Sequence, residues 1–194
     1  MSSSKKRPDT CTLYTFKVYS EHFGENPLDD IKKCLFGYSF AVSPIHNMDK
    51  LTDDELVKPH YHINIMFRGA VTLNSAIAKI TFAFMEYGGD IVGNFSAPKA
   101  VQPARGKQRF LDRYLCHLDH KEKHQYNTED IYCSVGYLLD IGDSDYTIES
   151  EVVKLIFDKK FSTFPELVYY CRMNNLHKEL HFVVKNPYFV KQII

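Results

Sequence analysis

The segment Lys58-Pro59-His60-Tyr61-His62-Ile63-Asn64-Ile65-Met66-Phe67 constrains this chain more than any other. Read with the two-residue period of a β-strand, it has two unlike faces. Tyr61, Ile63, Ile65 and Phe67 point one way, and His60, His62, Asn64 and Met66 point the other. The first face requires a core. The second begins with two imidazoles, and neighbours on one strand face lie roughly 6.5–7 Å apart, from where both can reach one divalent ion. His-x-His also occurs as a half-exposed surface pair, so further ligands, a substrate and a nucleophile have to come from elsewhere in the chain.

A chain of 194 residues is long enough for one large domain or a medium domain with a small appendage. Hydrophobic residues at 44% and charged residues at 25% are ordinary for a globular protein with a sizeable core. The formal net charge of zero excludes a bulk polycation, so any nucleic-acid contact has to be local. Residues 1–126 hold 17 basic and 14 acidic side chains, against 7 and 10 in residues 127–194. Much of the excess lies in one run, Lys99, Arg105, Lys107, Arg109, Arg113, Lys121 and Lys123, set against Asp112, Asp119 and Glu122. The five cysteines are scattered and form no CxxC pair, which suits reduced thiols in a cytoplasmic protein. No apolar run approaches the length of a membrane span, so no membrane partner is expected.

Taken in order, residues 1–9 read as a flexible polar tail, and Thr10 to Tyr19 as a first strand rich in Thr, Tyr, Phe and Val. Asn26-Pro27 predicts a helix start. Tyr38 to Ser43 predicts a half-buried strand that forms a hairpin with the His60 strand across a long polar connection. Thr72 to Tyr87 predicts an amphipathic helix stopped by Gly88-Gly89. Gly93 to Val101 is weakly strand-like, Gln108 to Leu118 is helical, and Glu129 to Leu139 reads as a strand and turn. This order predicts an α+β fold: an antiparallel sheet with flanking helices, of ferredoxin-like or RRM-like flavour, over residues 10–139. Beyond a turn-rich break near residue 140 helix signals dominate, with starts at Thr147, at the Thr163–Glu166 capping box and at Asn186-Pro187. Residues 140–194 are therefore expected to be a small all-α domain.

His46-Asn47-Met48-Asp49 ends the strand expected beside the His60 strand. Across such a hairpin, His46 and Asp49 could join His60 and His62 in a mixed nitrogen and oxygen site suited to Mn²⁺, Zn²⁺ or a similar ion rather than Ca²⁺. Asn64 rules out the HxHxH pattern of nucleotidyl transferases with a histidine nucleophile, and His62 rules out the HxT of two-histidine phosphodiesterases. Tyr114 lies on the helix in the basic run, with His117 on the same face. A tyrosine hydroxyl, with a pKa near 10, is a poor nucleophile at neutral pH unless something activates it. Cys116, His117, His120 and His124 form a second possible ligand set, although no partner cysteines follow at a zinc-like interval.

The set SPIHNMD, KPHYHINIMF and RYLCH, in that order, resembles the replication initiators of small rolling-circle plasmids, the HUH endonucleases found mainly in plasmids of Gram-positive bacteria. The resemblance covers roughly residues 10–140. It implies a divalent metal, Mn²⁺ foremost, held by His46, Asp49, His60 and His62, and Tyr114 as nucleophile with His117 beside it. It implies a transesterification that leaves a 5′-phosphotyrosine and a free 3′-OH, and a sequence-specific nicking and joining enzyme as the function. The implied partners are plasmid origin DNA, bound as duplex and nicked as single strand, and the host polymerase or helicase. Lys99, Arg105, Lys107, Arg109 and Arg113 become the expected phosphate contacts, and residues 140–194 an expected homo-oligomerisation domain. Viral relatives carry Y-x-x-K, and here that fourth position is His117. Two rivals remain at this stage: a non-catalytic RRM-like nucleic-acid module, and a metal phosphodiesterase that uses water, with Tyr114 merely structural.

Overall fold

The structure is a computed structural model that describes residues 10–51, 55–104, 108–142 and 145–194, with the backbone alone for 145–147. The chain divides into two compact units, Met1–Tyr137 and Leu138–Ile194. The first is α+β. Strand β1 (Thr10–Tyr19) leads to helix α1 (Pro27–Cys34), then to β2 (Ser39–Val42) and the long β3 (His60–Thr72). Helices α2 (Leu73–Ala83) and α3 (Gly89–Phe95) precede β4 (Val101–Pro103), helix α4 (Gln108–Tyr114) and the short β5 (Tyr132–Cys133). The sheet order is β4-β1-β3-β2-β5, and every neighbouring pair is antiparallel. This is the split β-α-β arrangement with one strand added at the β2 edge.

The alternation of β3 decides the core. Tyr61, Ile63, Ile65 and Phe67 are buried with Tyr14, Phe16 and Val18 of β1 and Phe40 and Val42 of β2. Ile80 from α2, Phe84 at its C-cap, and Ile91 and Phe95 from α3 close over them. Phe16 meets Phe84 and Phe95 edge-on, with ring centroids 6.0 and 5.5 Å apart. Residues 93–101, expected to be strand-like, instead begin inside α3. Its two glycines are poor helix formers, but Ile91 and Phe95 lie four residues apart and both reach the core, so packing overrides propensity. Residues 129–139 contain only a two-residue strand after a 3₁₀ turn at Thr128–Asp130.

The second unit is helical: α5 (Asp145–Lys159), α6 (Phe164–Met173), α7 (His177–Lys185) and α8 (Pro187–Ile193). Its core holds Val152, Ile156, Leu167, Cys171, Leu180, Val183 and Val190. The Thr163–Glu166 capping box forms as the sequence predicts, with the two side chains satisfying each other's backbone N–H groups. Helix α5 starts at Asp145, two residues before Thr147. Neither Asn26 nor Asn186 accepts a capping hydrogen bond through its side chain. No described helix is long and apolar enough to cross a membrane, and all five cysteines are free thiols.

Candidate metal centre and active site

The site is built at the β2 end of the hairpin with β3, and a backbone irregularity sets its composition. Val42 pairs with Ile63 on the core side. An unbroken register would then place Ile45 opposite His60. Pro44 interrupts the ladder instead, one extra residue is accommodated, and His46 becomes the partner of His60. His46 N–H donates to His60 C=O at 2.8 Å, and His60 N–H returns a bond to His46 C=O at 3.2 Å. The bulge thus turns the His46 imidazole onto the face that already carries His60 and His62.

The rings converge. His46 lies 5.4 Å from His60, 4.8 Å from His62 and 4.5 Å from His117, centroid to centroid. Asp49 reaches the same point: its Oδ2 is 3.5 Å from His46 Nδ1 and 3.8 Å from His60 Nε2, and its Oδ1 is 3.6 Å from His117 Nδ1. Two sets of three could hold one ion, His46 with His60 and His62, or His46 with Asp49 and His117; within each set one ligand atom per residue lies within 4.8 Å of the others.

Three of the imidazoles are oriented by main-chain carbonyls. A carbonyl can only accept, so the nitrogen facing it must carry the proton. His46 Nε2 donates to Leu115 C=O at 2.9 Å, His60 Nδ1 to Lys58 C=O at 2.9 Å, and His117 Nδ1 to His124 C=O at 3.1 Å. Each ring is left with one lone pair, and this is how protein metal sites fix their histidine tautomers. His46 Nδ1 and His117 Nε2 are buried with no hydrogen-bond partner among the described residues, a state that normally costs stability and that a cation would relieve. Burial, with repulsion from His117 and His60, pulls the His46 imidazole down to about 4, against the opposing pull of the Leu115 carbonyl and Asp49. Burial likewise lowers His60 and His117, and drives His62 well below the usual histidine range. The rings are therefore neutral ligands at pH 7, and the donor set of nitrogens with one carboxylate fits a borderline divalent ion.

Helix α4 lies against the same face of β3. Asp112, counted in the sequence among the acidic residues of the basic run, is fully buried. It accepts from Asn64 Nδ2 at 3.0 Å, Tyr137 Oη at 2.5 Å and Gln108 Nε2 at 3.0 Å. Burial and the Asp112 carboxylate push the Tyr137 phenol well above its usual range. Asn64 thus ties α4 to the histidine strand. Two residues past Asp112, Tyr114 ends the helix with its ring 5.2 Å from His62. The expected helix to Leu118 stops here, and His117 adopts a left-handed φ of 57° that turns the chain back. Tyr114, Asp49, His60 and His62 line one cavity of about 510 Å³ together with Lys17, Lys50 and Lys123. A larger groove, about 980 Å³, lies beside Met66–Val71 at the other end of β3, away from the histidines.

Three contributors escaped the sequence reading. Tyr126 stacks on His46 with centroids 4.1 Å apart and rings 3° from parallel, and its hydroxyl donates to Asp49 Oδ1 at 3.0 Å. Burial, then that carboxylate contact, pushes the Tyr126 phenol up to about 12. Lys17 is paired across the sheet with His62, a strand-register signal that could have been sought. Lys123 Nζ donates to Tyr114 Oη at 2.8 Å. Of the expected phosphate contacts, Arg109 and Arg113 lie on α4 and Lys99 in a left-handed turn before β4, while Arg105 and Lys107 fall outside the described residues. Arg113 is held by Asp119 through bonds of 2.8–2.9 Å. The second ligand set does not assemble among the described residues: the Cys116 thiol faces Asn127 C=O, His120 pairs with Glu122 at 3.0 Å, and His117 belongs to the first cluster.

A family model described as "Plasmid replication protein, origin binding domain" matches residues 5–140. A Staphylococcus aureus "Replication protein" is 28% identical over 162 residues, covering 81% of this chain and 73% of the relative. A "Replication protein RepB" from Lactiplantibacillus plantarum is 31% identical over 125 residues, covering 63% of this chain; the match spans about half, 48%, of that relative.

Proposed function

The chain belongs to the family of plasmid replication proteins through its origin-binding domain, and from that premise we propose that it initiates replication by nicking and rejoining origin DNA, with Tyr114 as nucleophile. The family makes plasmid origin DNA its ligand and replication initiation its role. The observation that carries the chemistry is the phenol of Tyr114 beside His62, in a cavity that also holds His60, Asp49 and three lysines.

In this reading His46, Asp49, His60 and His62 would hold a divalent ion, with His117 as a further donor, and such an ion would supply Lewis-acid polarisation of a DNA phosphate. Mn²⁺ is the first choice through the resemblance to the rolling-circle initiators, while the donor set itself suits Zn²⁺ as well. The chain's own residues do the rest. Tyr114 attacks the phosphorus, its new ester bond forms as the bond to the 3′ oxygen breaks, and a free 3′-OH remains to prime synthesis by a host polymerase. The reverse reaction rejoins the strand, so the ester's energy is retained. Asn64 and Asp112 hold α4 so that the phenol stays over His62. Lys17 and Lys50 meet the phosphates entering the cavity, and Lys99 and Arg109 the flanking backbone. The helical unit, with Phe157, Tyr169, Met173 and Tyr188 exposed, is assigned to self-association. An RRM-like module would need an open sheet face for stacking, whereas His60 and Asn64 on that face are buried.

The test uses supercoiled DNA carrying the protein's own origin, with Mn²⁺. Wild-type protein should give a nicked circle with protein covalently attached, and Tyr114→Phe should lose this activity by roughly 10⁴-fold or more. Unchanged nicking by Tyr114→Phe would favour water as nucleophile. Binding without nicking in any divalent ion would favour the non-catalytic module.

A further inference from the structure

We propose that Lys123 is a catalytic residue of this site, its ammonium carrying the charge that develops on Tyr114 Oη during both cleavage and rejoining. The proposal rests on Tyr114 being the nucleophile.

Among the described lysines whose ammonium makes a hydrogen bond, Lys123 differs in its acceptor. Lys32, Lys33 and Lys58 each meet a carboxylate, on Asp29, Asp30 and Glu21. Lys123 has no carboxylate within ion-pair distance among the described residues, and its hydrogen bond goes to the phenol oxygen of Tyr114 at 2.8 Å. The neighbouring Glu122 is occupied by His120. A cation aimed at a neutral phenol gains little, but aimed at a phenolate it makes a charge-assisted bond about twice as strong.

The loop is built to hold this contact. His117 reverses the chain at its left-handed φ, and Lys123 N–H is fixed on His120 C=O at 2.9 Å. The Gln125 amide ties the carbonyls of His117 and His120 at 2.7 and 2.8 Å, and Tyr126 N–H closes on Cys116 C=O at 3.2 Å. His117 lies beside Tyr114, with ring centroids 5.1 Å apart, but its proton sits on Nδ1 facing the His124 carbonyl and its other nitrogen carries a lone pair, so the ring has no N–H to offer the phenol oxygen. The cation therefore comes from six residues further on, by a fold-back rather than by helical spacing.

In cleavage, Tyr114 gives its proton to water, the Oη–P bond forms, the P–O3′ bond breaks, and the departing 3′ oxygen takes up a proton. In rejoining the same phenolate is the leaving group. One cation thus serves both directions, and preorganised charge of this kind typically contributes about 10²–10³ in rate.

The test follows single-turnover cleavage and rejoining of a single-stranded nick-site oligonucleotide in Mn²⁺ by wild-type, Lys123→Met and Lys123→Arg proteins. Lys123→Met should slow both directions about 100-fold, and Lys123→Arg should recover part of the loss. Mn²⁺ affinity by electron paramagnetic resonance, oligonucleotide affinity and thermal midpoint should stay within about threefold or a few degrees of wild type. Wild-type rates in Lys123→Met, or a loss matched by lost Mn²⁺ or DNA binding, would overturn the proposal. A wild-type protein that cleaves without a Tyr114 adduct would instead overturn the nucleophile reading itself, and Lys123's role with it.

Discussion

The two faces of β3 share one backbone and have opposite physics. On the core face Tyr61, Ile63, Ile65 and Phe67 meet aromatic and aliphatic partners, and no charge or pairing has to be arranged. On the other face His60 and Asn64 are buried and His62 half-buried, but each polar group there has to be matched: by carbonyls at His46, His60 and His117, by Asp112 at Asn64, and at His46 Nδ1 by no hydrogen-bond partner among the described residues. The first face stabilises the fold. The second holds unsatisfied lone pairs that cost stability without a cation and acquire a use with one. Burial alone does not separate a core from a site; the state of the buried polar atoms does.

That contrast can be broken by substitutions one residue apart. His62→Ala removes a site-face ring that makes no ring hydrogen bond among the described residues, and should reduce Mn²⁺-dependent cleavage by about 10²–10³-fold. It should also abolish the rise in thermal midpoint that Mn²⁺ gives the wild type, while leaving the metal-free midpoint nearly unchanged. Ile63→Ala, on the core face, should cost about 3 kcal/mol of stability, read as a fall of roughly 6–12 °C in midpoint. Cleavage per folded molecule below the transition should be retained. If Ile63→Ala lost cleavage at full folding, or His62→Ala unfolded the protein, the division between the faces would be wrong.

The smallest effect is in pH. The site-face histidines have folded-state pKa values below those of the unfolded chain. Between about pH 6.5, the unfolded imidazole value, and the value of about 4 for His46, the unfolded chain binds more protons. Stability of the metal-free protein is therefore complete above this window and falls as pH falls through it. Urea midpoints in chelator should drop between pH 7 and pH 5.5, and a flat profile would mean the rings are not desolvated as described. Saturating Mn²⁺ should keep the rings neutral and flatten the curve.

The sequence made the period-two strand legible because alternation is a local property, and His46 and Asp49 were within reach because a hairpin is the shortest way to join two strands. What stayed hidden depends on distance along the chain. The Pro44 bulge, which decides that His46 rather than Ile45 faces His60, is a register event that alternation alone does not reveal. The burial of Asp112 does not show in the basic run because its partners, Asn64 and Tyr137, are 48 and 25 residues away. Lys123 and Tyr126 lie past the helix expected to Leu118, in or just beyond a charged, histidine-rich stretch with no assigned fold; the left-handed turn at His117 brings them back over Tyr114 and His46. The α3 helix was missed because its glycines argue against a helix locally, while Ile91 and Phe95 favour it through the core.

The most direct test of the account is chemical. After reaction with an origin oligonucleotide and Mn²⁺, nuclease and trypsin digestion should leave the peptide Tyr114–Lys121 carrying a nucleotide through its 5′-phosphate, with fragmentation placing the mass on Tyr114. A nicked strand with a free 5′-phosphate and an unmodified Tyr114–Lys121 peptide would contradict it.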